Sequence, residues 1–256
     1  IWAQTDFDGC NAIAQRLQSD PELKYMNLNT ANSSNIGRLL PQIVYYFSIY
    51  SALAKEPGEL VYFSVPSGNF GNAVAGLFAI KMGLPIKLII GVNENDVFAR
   101  YYSSGVYAPA QETKSSPSNS MNINWPSNMR RLFQLYDGQL VEGSDPITGR
   151  KIVDSRSIMP NHALMRKDIA AAYSISYSET DAIIEDFYNE EHIIDRSIHS
   201  TLEPHGAVAW GVALKFRRDT GYDGKIVSFE TAHPGKFPES LLNNGIIPDL
   251  PESLWR

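Results

Sequence analysis

Residues 60–92 read LVYFSVPSGNFGNAVAGLFAIKMGLPIKLIIGV, and their pattern decides the fold class. LVYFSV (60–65) is an apolar run with β-branched and aromatic members, which predicts a strand buried on both faces. A helix is predicted from about Asn72 to Met82, stopped by Gly83 and Pro85. IKLIIGV (86–92) reads as a second buried strand. Strand, tight loop, helix and strand within ~30 residues form a βαβ unit, whose crossover makes the two strands parallel. The expected class is α/β, a parallel twisted sheet with helices on both faces.

The loop between strand and helix, SGNFGN, lies at the carboxyl end of a parallel strand, where ligands of such sheets bind. A helix N-terminus adds unpaired N–H groups and the positive end of a dipole. Glycine lets the backbone approach an anion closely and adopt positive φ. The loop is therefore a candidate phosphate cradle, although a tight turn with Asn72 as helix cap explains a bare Gly-x-x-Gly equally well. It fits neither Gly-x-Gly-x-x-Gly nor Gly-x-x-x-x-Gly-Lys-Ser/Thr, so dinucleotides and P-loop nucleotides are poorly supported.

Further elements are expected on both sides. A helix over 10–19 has Asp6 or Asp8 as cap, and one over 36–54 has Ser33, Ser34 or Asn35. Pro41 falls near the first turns of the second of these. Helices follow at 126–136, at 178–196 with Ser178 as cap, and at 205–218, before a strand at 225–230. The 256 residues, 43% hydrophobic and 20% charged, suit one large α/β domain or two small ones. A net charge of −6 without a basic stripe argues against nucleic acid. The single cysteine, Cys10, excludes an internal disulfide and favours a reducing compartment. No apolar run is long enough to span a bilayer and no signal peptide is visible, so no membrane partner is expected and the cytoplasm is the default location.

Several segments, in order, resemble the threonine synthases, pyridoxal-phosphate enzymes of the tryptophan-synthase-like fold type II. VPSGNFGNAVAGLFAIKMGLPI (65–86) is similar to their cofactor-phosphate loop. FDGC (7–10) resembles the family's Phe-Asp-Asp-Cys-Gln, and LNTANSSNIGRLLPQIVYYF (28–47) its Asn-Ser-Ala-Asn-Ser-Ile-Asn-x-x-Arg. NENDVFARYYSSG, SPSNSMNI, LEPHGAVAW and TAHPGKF are similar to further blocks. The resemblance covers nearly the whole chain and implies most of the large cofactor domain, with a largely helical insertion at about 126–200 and a helical C-terminal region.

The resemblance implies that Gly68, Asn69, Phe70, Gly71 and Asn72 hold the phosphate of pyridoxal 5′-phosphate through backbone N–H groups. It places Thr231 opposite the pyridine nitrogen, where a neutral hydroxyl would leave that nitrogen largely unprotonated. Asn29, Thr30, Asn32, Asn35 and Arg38 would bind the phosphate end of the substrate, Arg38 through paired charge-assisted bonds. A polar loop capping a long helix explains one or two of these residues but not the run. Thr30 replaces a commoner Ser and keeps its hydroxyl, and Ser34 replaces Ile. Glu203 and His205 read as structural, Asn95 and Asp96 as a helix start, His233 and Lys236 as surface groups, and Cys10 as a small buried side chain.

The activity implied is conversion of O-phospho-L-homoserine and water to L-threonine and phosphate. The family's Schiff-base lysine lies in an N-terminal Phe-Lys-Asp-like segment that has no match here. The chain is thus expected to be a C-terminal portion, without the N-terminal domain and inactive alone, and no catalytic or metal-ligating residue is assigned within it. Its partner would be a small-molecule substrate, and its state monomer or dimer. Two rival readings are a phospho-lyase acting on a related phosphorylated amino acid and a non-catalytic anion-binding module.

Overall fold

The computed structural model describes residues 7–29, 31–189 and 201–247. The chain runs through α1 (Phe7–Ser19), α2 (Ile36–Leu53), β1 (Val61–Pro66), α3 (Gly71–Lys81), β2 (Ile86–Val92), α4 (Val97–Ser104) and α5 (Met129–Leu135). A hairpin of β3 (Glu142–Ser144) and β4 (Lys151–Val153) comes next, then α6 (His162–Asp168), β5 (Ile169–Ser174) and α7 (Tyr177–Asn189). The described part closes with α8 (Pro204–Thr220), β6 (Ile226–Ser228) and α9 (Pro238–Asn243).

Four parallel strands form the main sheet in the order β5-β2-β1-β6. The predicted βαβ unit is its centre, with β1 paired to β2 from Val61↔Ile86 to Pro66↔Gly91. Helices cover both faces, so both sides of β1 are buried, as its unbroken apolar run requires. Val61, Phe63 and Val65 join the core under α2 and α3 with Leu39, Val74 and Leu77. Tyr62 turns the other way, against Phe216 of α8 and Tyr222. The fully buried Ser64 satisfies its hydroxyl on the Ala209 carbonyl of α8 at 2.5 Å.

Tyr46 of α2 ties these layers together. Its ring, fully buried, lies 5.1 Å from the rings of both Phe63 and Phe229. The ring also presses on α3 at Gly76, where an added Cβ would stand 2.6 Å from Cζ of Tyr46. The Tyr46 hydroxyl donates to Oδ1 of Asn72 at 2.8 Å. Desolvation pushes the Tyr46 pKa well up, so this hydroxyl stays a donor.

Several sequence expectations need correction. Among the candidates for α2, Asn35 is the cap, accepting from the Gly37 amide at 2.8 Å. Pro41 sits in the second turn rather than the first, so the bond from residue 41 to the Gly37 carbonyl is absent. Ser176, not Ser178, caps α7: its hydroxyl accepts from Glu179 N while the Glu179 carboxylate accepts from Ser176 N, a capping box. Residues 190–196 of that expected helix lie outside the described residues, as does Asp6. Cys10 is exposed, because α1 packs mainly on the 3-10 turn Pro21–Met26 among the described residues.

The expected helical insertion at 126–200 departs most. Its centre, IAAAYS, is β5, an edge strand paired in parallel with β2 from Leu88↔Ile169 to Val92↔Ser174. Three alanines give no strand signal, and α6 runs into β5 without a turn residue between them. Only pairing with β2 makes this segment a strand. No helix among the described residues is long and apolar enough to cross a membrane.

We predict that Gly76→Ala lowers stability by about 1–3 kcal/mol, because the added methyl meets a tyrosine ring held by three partners. Urea unfolding measures this, and an unchanged midpoint would mean that Tyr46 yields.

Candidate functional site

From β1 the chain adds β2 and then β5 on one side, and later adds β6 on the other. The strand order therefore reverses beside β1, the place where doubly wound sheets open a crevice. A cleft of about 670 Å³ lies there, lined by residues 66 and 68–72 after β1 and 227–231 of β6 and its continuation. Arg38 and Gln42 of α2, Ser120, Met121 and His205 complete most of its walls.

The turn from β1 into α3 is built from two constraints. The Ser67 amide makes its bond to Gly91 O at 2.7 Å, continuing the sheet pairing past β1. Gly68 then passes so close to the next loop that a Cβ would stand 2.7 Å from Ser120 O and 2.8 Å from Met121 Cα. Its lack of a side chain admits this loop. The left-handed residue is Phe70 (φ 62°), not a glycine as the loop's composition suggested. Its ring is buried, 4.7 Å from Phe98. The helical bonds then begin with Val74 N to Phe70 O at 2.9 Å. The amides of Gly71, Asn72 and Ala73 consequently have no acceptor within α3.

Side chains of the loop serve its shape. Asn69 Oδ1 accepts from Ser127 N at 3.0 Å, and Asn69 O accepts from Asn128 N at 3.2 Å and Asn128 Nδ2 at 2.9 Å. Asn72 is no cap, since its Oδ1 is taken by Tyr46.

The opposite wall carries Glu230, with the buried Glu203 close by. Glu203, fully buried, is the N-cap of α8: its carboxylate accepts from Gly206 N at 2.9 Å and His205 N at 2.8 Å, and meets His205 Nδ1 at 2.6 Å. Thr231 turns its hydroxyl proton to the same carboxylate at 3.5 Å, the long limit of a hydrogen bond. Nε2 of His205 is buried without a partner among the described residues. Glu230 as a whole residue is exposed, with its carboxyl laid against Gly206 so closely that no Cβ fits there. Desolvation of its carboxyl, with the Glu203 charge adding, pushes its pKa up to about 8.

Six of the residues expected to hold cofactor, Gly68, Asn69, Phe70, Gly71, Asn72 and Thr231, meet in this cleft with Arg38. Arg38 reaches back to Ala31 O at 3.1 Å. Asn29, Asn32 and Asn35 do not line the cleft; Asn32 accepts from the Ser34 amide at 3.0 Å and Asn35 caps α2. Thr30 lies outside the described residues. His233 caps a 3-10 turn through Gly235 N at 3.1 Å, away from the cleft lining.

Asn95 and Asp96 make no side-chain cap on α4. Asn95 instead joins Asn93, Ser116, Ser118 and Asn122 in a buried amide-hydroxyl network that anchors the loop carrying Ser120. Sequence reading missed Gln42, His205 and Glu230 as cleft residues. Gln42 was within reach, one helical turn after Arg38, and Glu230 precedes Thr231. No cluster of acidic, His or Cys side chains among the described residues suits a metal ion.

The raised Glu230 pKa fixes a pH effect. The folded state holds this proton between the ordinary carboxylate range, near 4.5, and about 8, so stability falls as pH rises through that window. Glu230→Gln should raise Tm relative to the parent at pH 8.5 and give no gain below pH 4.5. Equal gains at both pH values would contradict this origin.

No protein-family model matches the chain. A threonine synthase of Haemophilus influenzae is 36% identical over 252 residues, 97% of this chain and 51% of the relative. The crystal structure of threonine synthase from Escherichia coli superposes with a TM-score of 0.77 at 31% identity, covering all of this chain and 52% of that one. The PLP-bound threonine synthase from Brucella melitensis gives 0.75 at 30% identity, over 98% of this chain and 52% of that one. The α/β, fold type II expectation thus holds. The chain is similar to threonine synthases and spans about half the length of the relatives it matches.

Proposed function

We propose that the cleft binds pyridoxal 5′-phosphate and that the protein to which this chain belongs makes L-threonine and phosphate from O-phospho-L-homoserine and water. The observation that carries this reading is the meeting of three separate segments, the cradle at 68–72, Arg38 and Thr231, in one cleft of about 670 Å³. The similar Brucella melitensis protein is a PLP-bound threonine synthase, which supports the cofactor.

The residues fit that cofactor. The three first-turn amides of α3 and the positive end of its dipole suit a phosphate dianion. Gly71 leaves room beside them, since a Cβ there would meet nothing closer than 3.7 Å. The family resemblance puts Thr231 opposite the pyridine nitrogen; its hydroxyl, held only by a 3.5 Å contact to Glu203, would turn to donate to an unprotonated ring nitrogen. When bound, the cofactor supplies an electron sink for charge developing at carbon. Arg38 and Gln42 lie where a second, substrate-borne phosphate would be held, and Arg38 fixes that group in orientation as well as charge. Of the neutral donors that the family resemblance added, Asn32 and Asn35 shape the loop that presents Arg38.

The Schiff-base lysine is assigned to a segment outside these residues, because no lysine here stands in a Phe-Lys-Asp-like motif. The protein is read as a cytoplasmic monomer or dimer with a small-molecule substrate.

The test is to incubate the protein with pyridoxal 5′-phosphate and O-phospho-L-homoserine and to measure phosphate, threonine and 2-oxobutyrate. Threonine in step with phosphate is expected. Release of 2-oxobutyrate without threonine would establish the phospho-lyase, and no turnover with no cofactor bound would favour the anion-binding module. Arg38→Ala should raise KM for the phosphorylated substrate by roughly one to two orders of magnitude, the loss of a charged hydrogen-bond pair, without changing the cofactor's absorbance.

A further inference from the structure

The cradle and the Arg38 segment are far apart in sequence, yet two residues belonging to neither bridge them. Ser127 donates its amide to Asn69 Oδ1 at 3.0 Å, and its hydroxyl lies 3.2 Å from that of Ser33. Asn128, fully buried, does more. Its Nδ2 donates to Asn69 O at 2.9 Å and to Ser33 O at 2.8 Å, one bond to each loop. Its backbone amide reinforces the first contact at 3.2 Å. Arg131 donates to its Oδ1 at 2.5 Å, which fixes which end of the amide is nitrogen.

We infer that Asn128 is a positioning residue that couples the two phosphate-binding segments, so that ordering one around its anion orders the other. This rests on the cofactor reading given above. The chemistry requires a primary amide. Two acceptors from different loops need two donors on one short side chain, which Asn supplies. Asp would set a carboxylate against two carbonyl oxygens, and Ala would leave both carbonyls without these donors. Ser33 stands two residues before Asn35, the cap of α2, and Arg38 lies in the first turn of that helix. A displacement at Ser33 therefore moves the guanidinium that lines the cleft.

Hydrogen exchange of the whole chain tests this with pyridoxine 5′-phosphate, which carries the phosphate and ring but no aldehyde and so needs no lysine. The parent chain should gain protection at 68–73 and also at 33–38. Asn128→Ala, at ligand concentrations restoring equal occupancy, should keep the first and lose the second by about fivefold or more. Ser127→Ala, which removes only the hydroxyl contact, should fold regardless and weaken protection at 33–38 in part. Protection confined to 68–73 in the parent, or unchanged at 33–38 in both variants, would overturn the coupling while leaving the cofactor assignment intact. Absence of protection at 68–73 in the parent would overturn the cofactor assignment and the coupling with it.

Discussion

A phenylalanine held in left-handed backbone turns β1 into α3, and the cleft is built on that turn. Phe70 has φ 62°, a conformation that costs a non-glycine residue on the order of 1–3 kcal/mol. It persists because its ring is buried against Phe98 and because the carbonyl just before it is held by two donors of Asn128. Burial of an aromatic side chain contributes roughly 2–3 kcal/mol, enough to offset the strain. A glycine at this position would adopt the same φ without cost but would leave the turn unanchored. The first turn of α3, with Gly71 and Asn72 on the cleft, keeps its direction because the ring fixes it.

Charge is divided across the cleft in a way that matches this turn. One wall carries the dipole of α3 and the Arg38 guanidinium, both suited to anions. The other carries Glu230, whose pKa is pushed up by desolvation and by the charge of the buried Glu203 nearby. Two amides of α8, an imidazole and a hydroxyl converge on the Glu203 carboxylate.

The centre of the fold was legible because strands buried on both faces leave unbroken apolar runs, as in VYFSVP and IKLIIGV. The edge strand IAAAYS left no such trace, since an edge position with three alanines is specified by its neighbour rather than by its own residues. At the site, SGNFGN marked the cradle, but composition assigned the left-handed turn to glycine when packing had given it to Phe70. Gly68 lines the cleft and, lacking a side chain, also admits a second loop. Glu203 read only as structural in the sequence, and it is the N-cap of α8. Asn128 had no signal: one asparagine in a Ser/Asn-rich loop gains meaning only when two distant carbonyls are brought to its amide.

On the proposed function, the first-turn amides of α3 hold the phosphate of the cofactor as a dianion. Phosphorus NMR of pyridoxal 5′-phosphate mixed with the protein reads this directly. Free phosphate monoesters titrate with a pKa near ~6, so their resonance moves between pH 5 and 8. A bound resonance at the dianion position that stays fixed across that range is the result predicted. A bound resonance that follows the free titration curve would show a solvated phosphate and contradict the account.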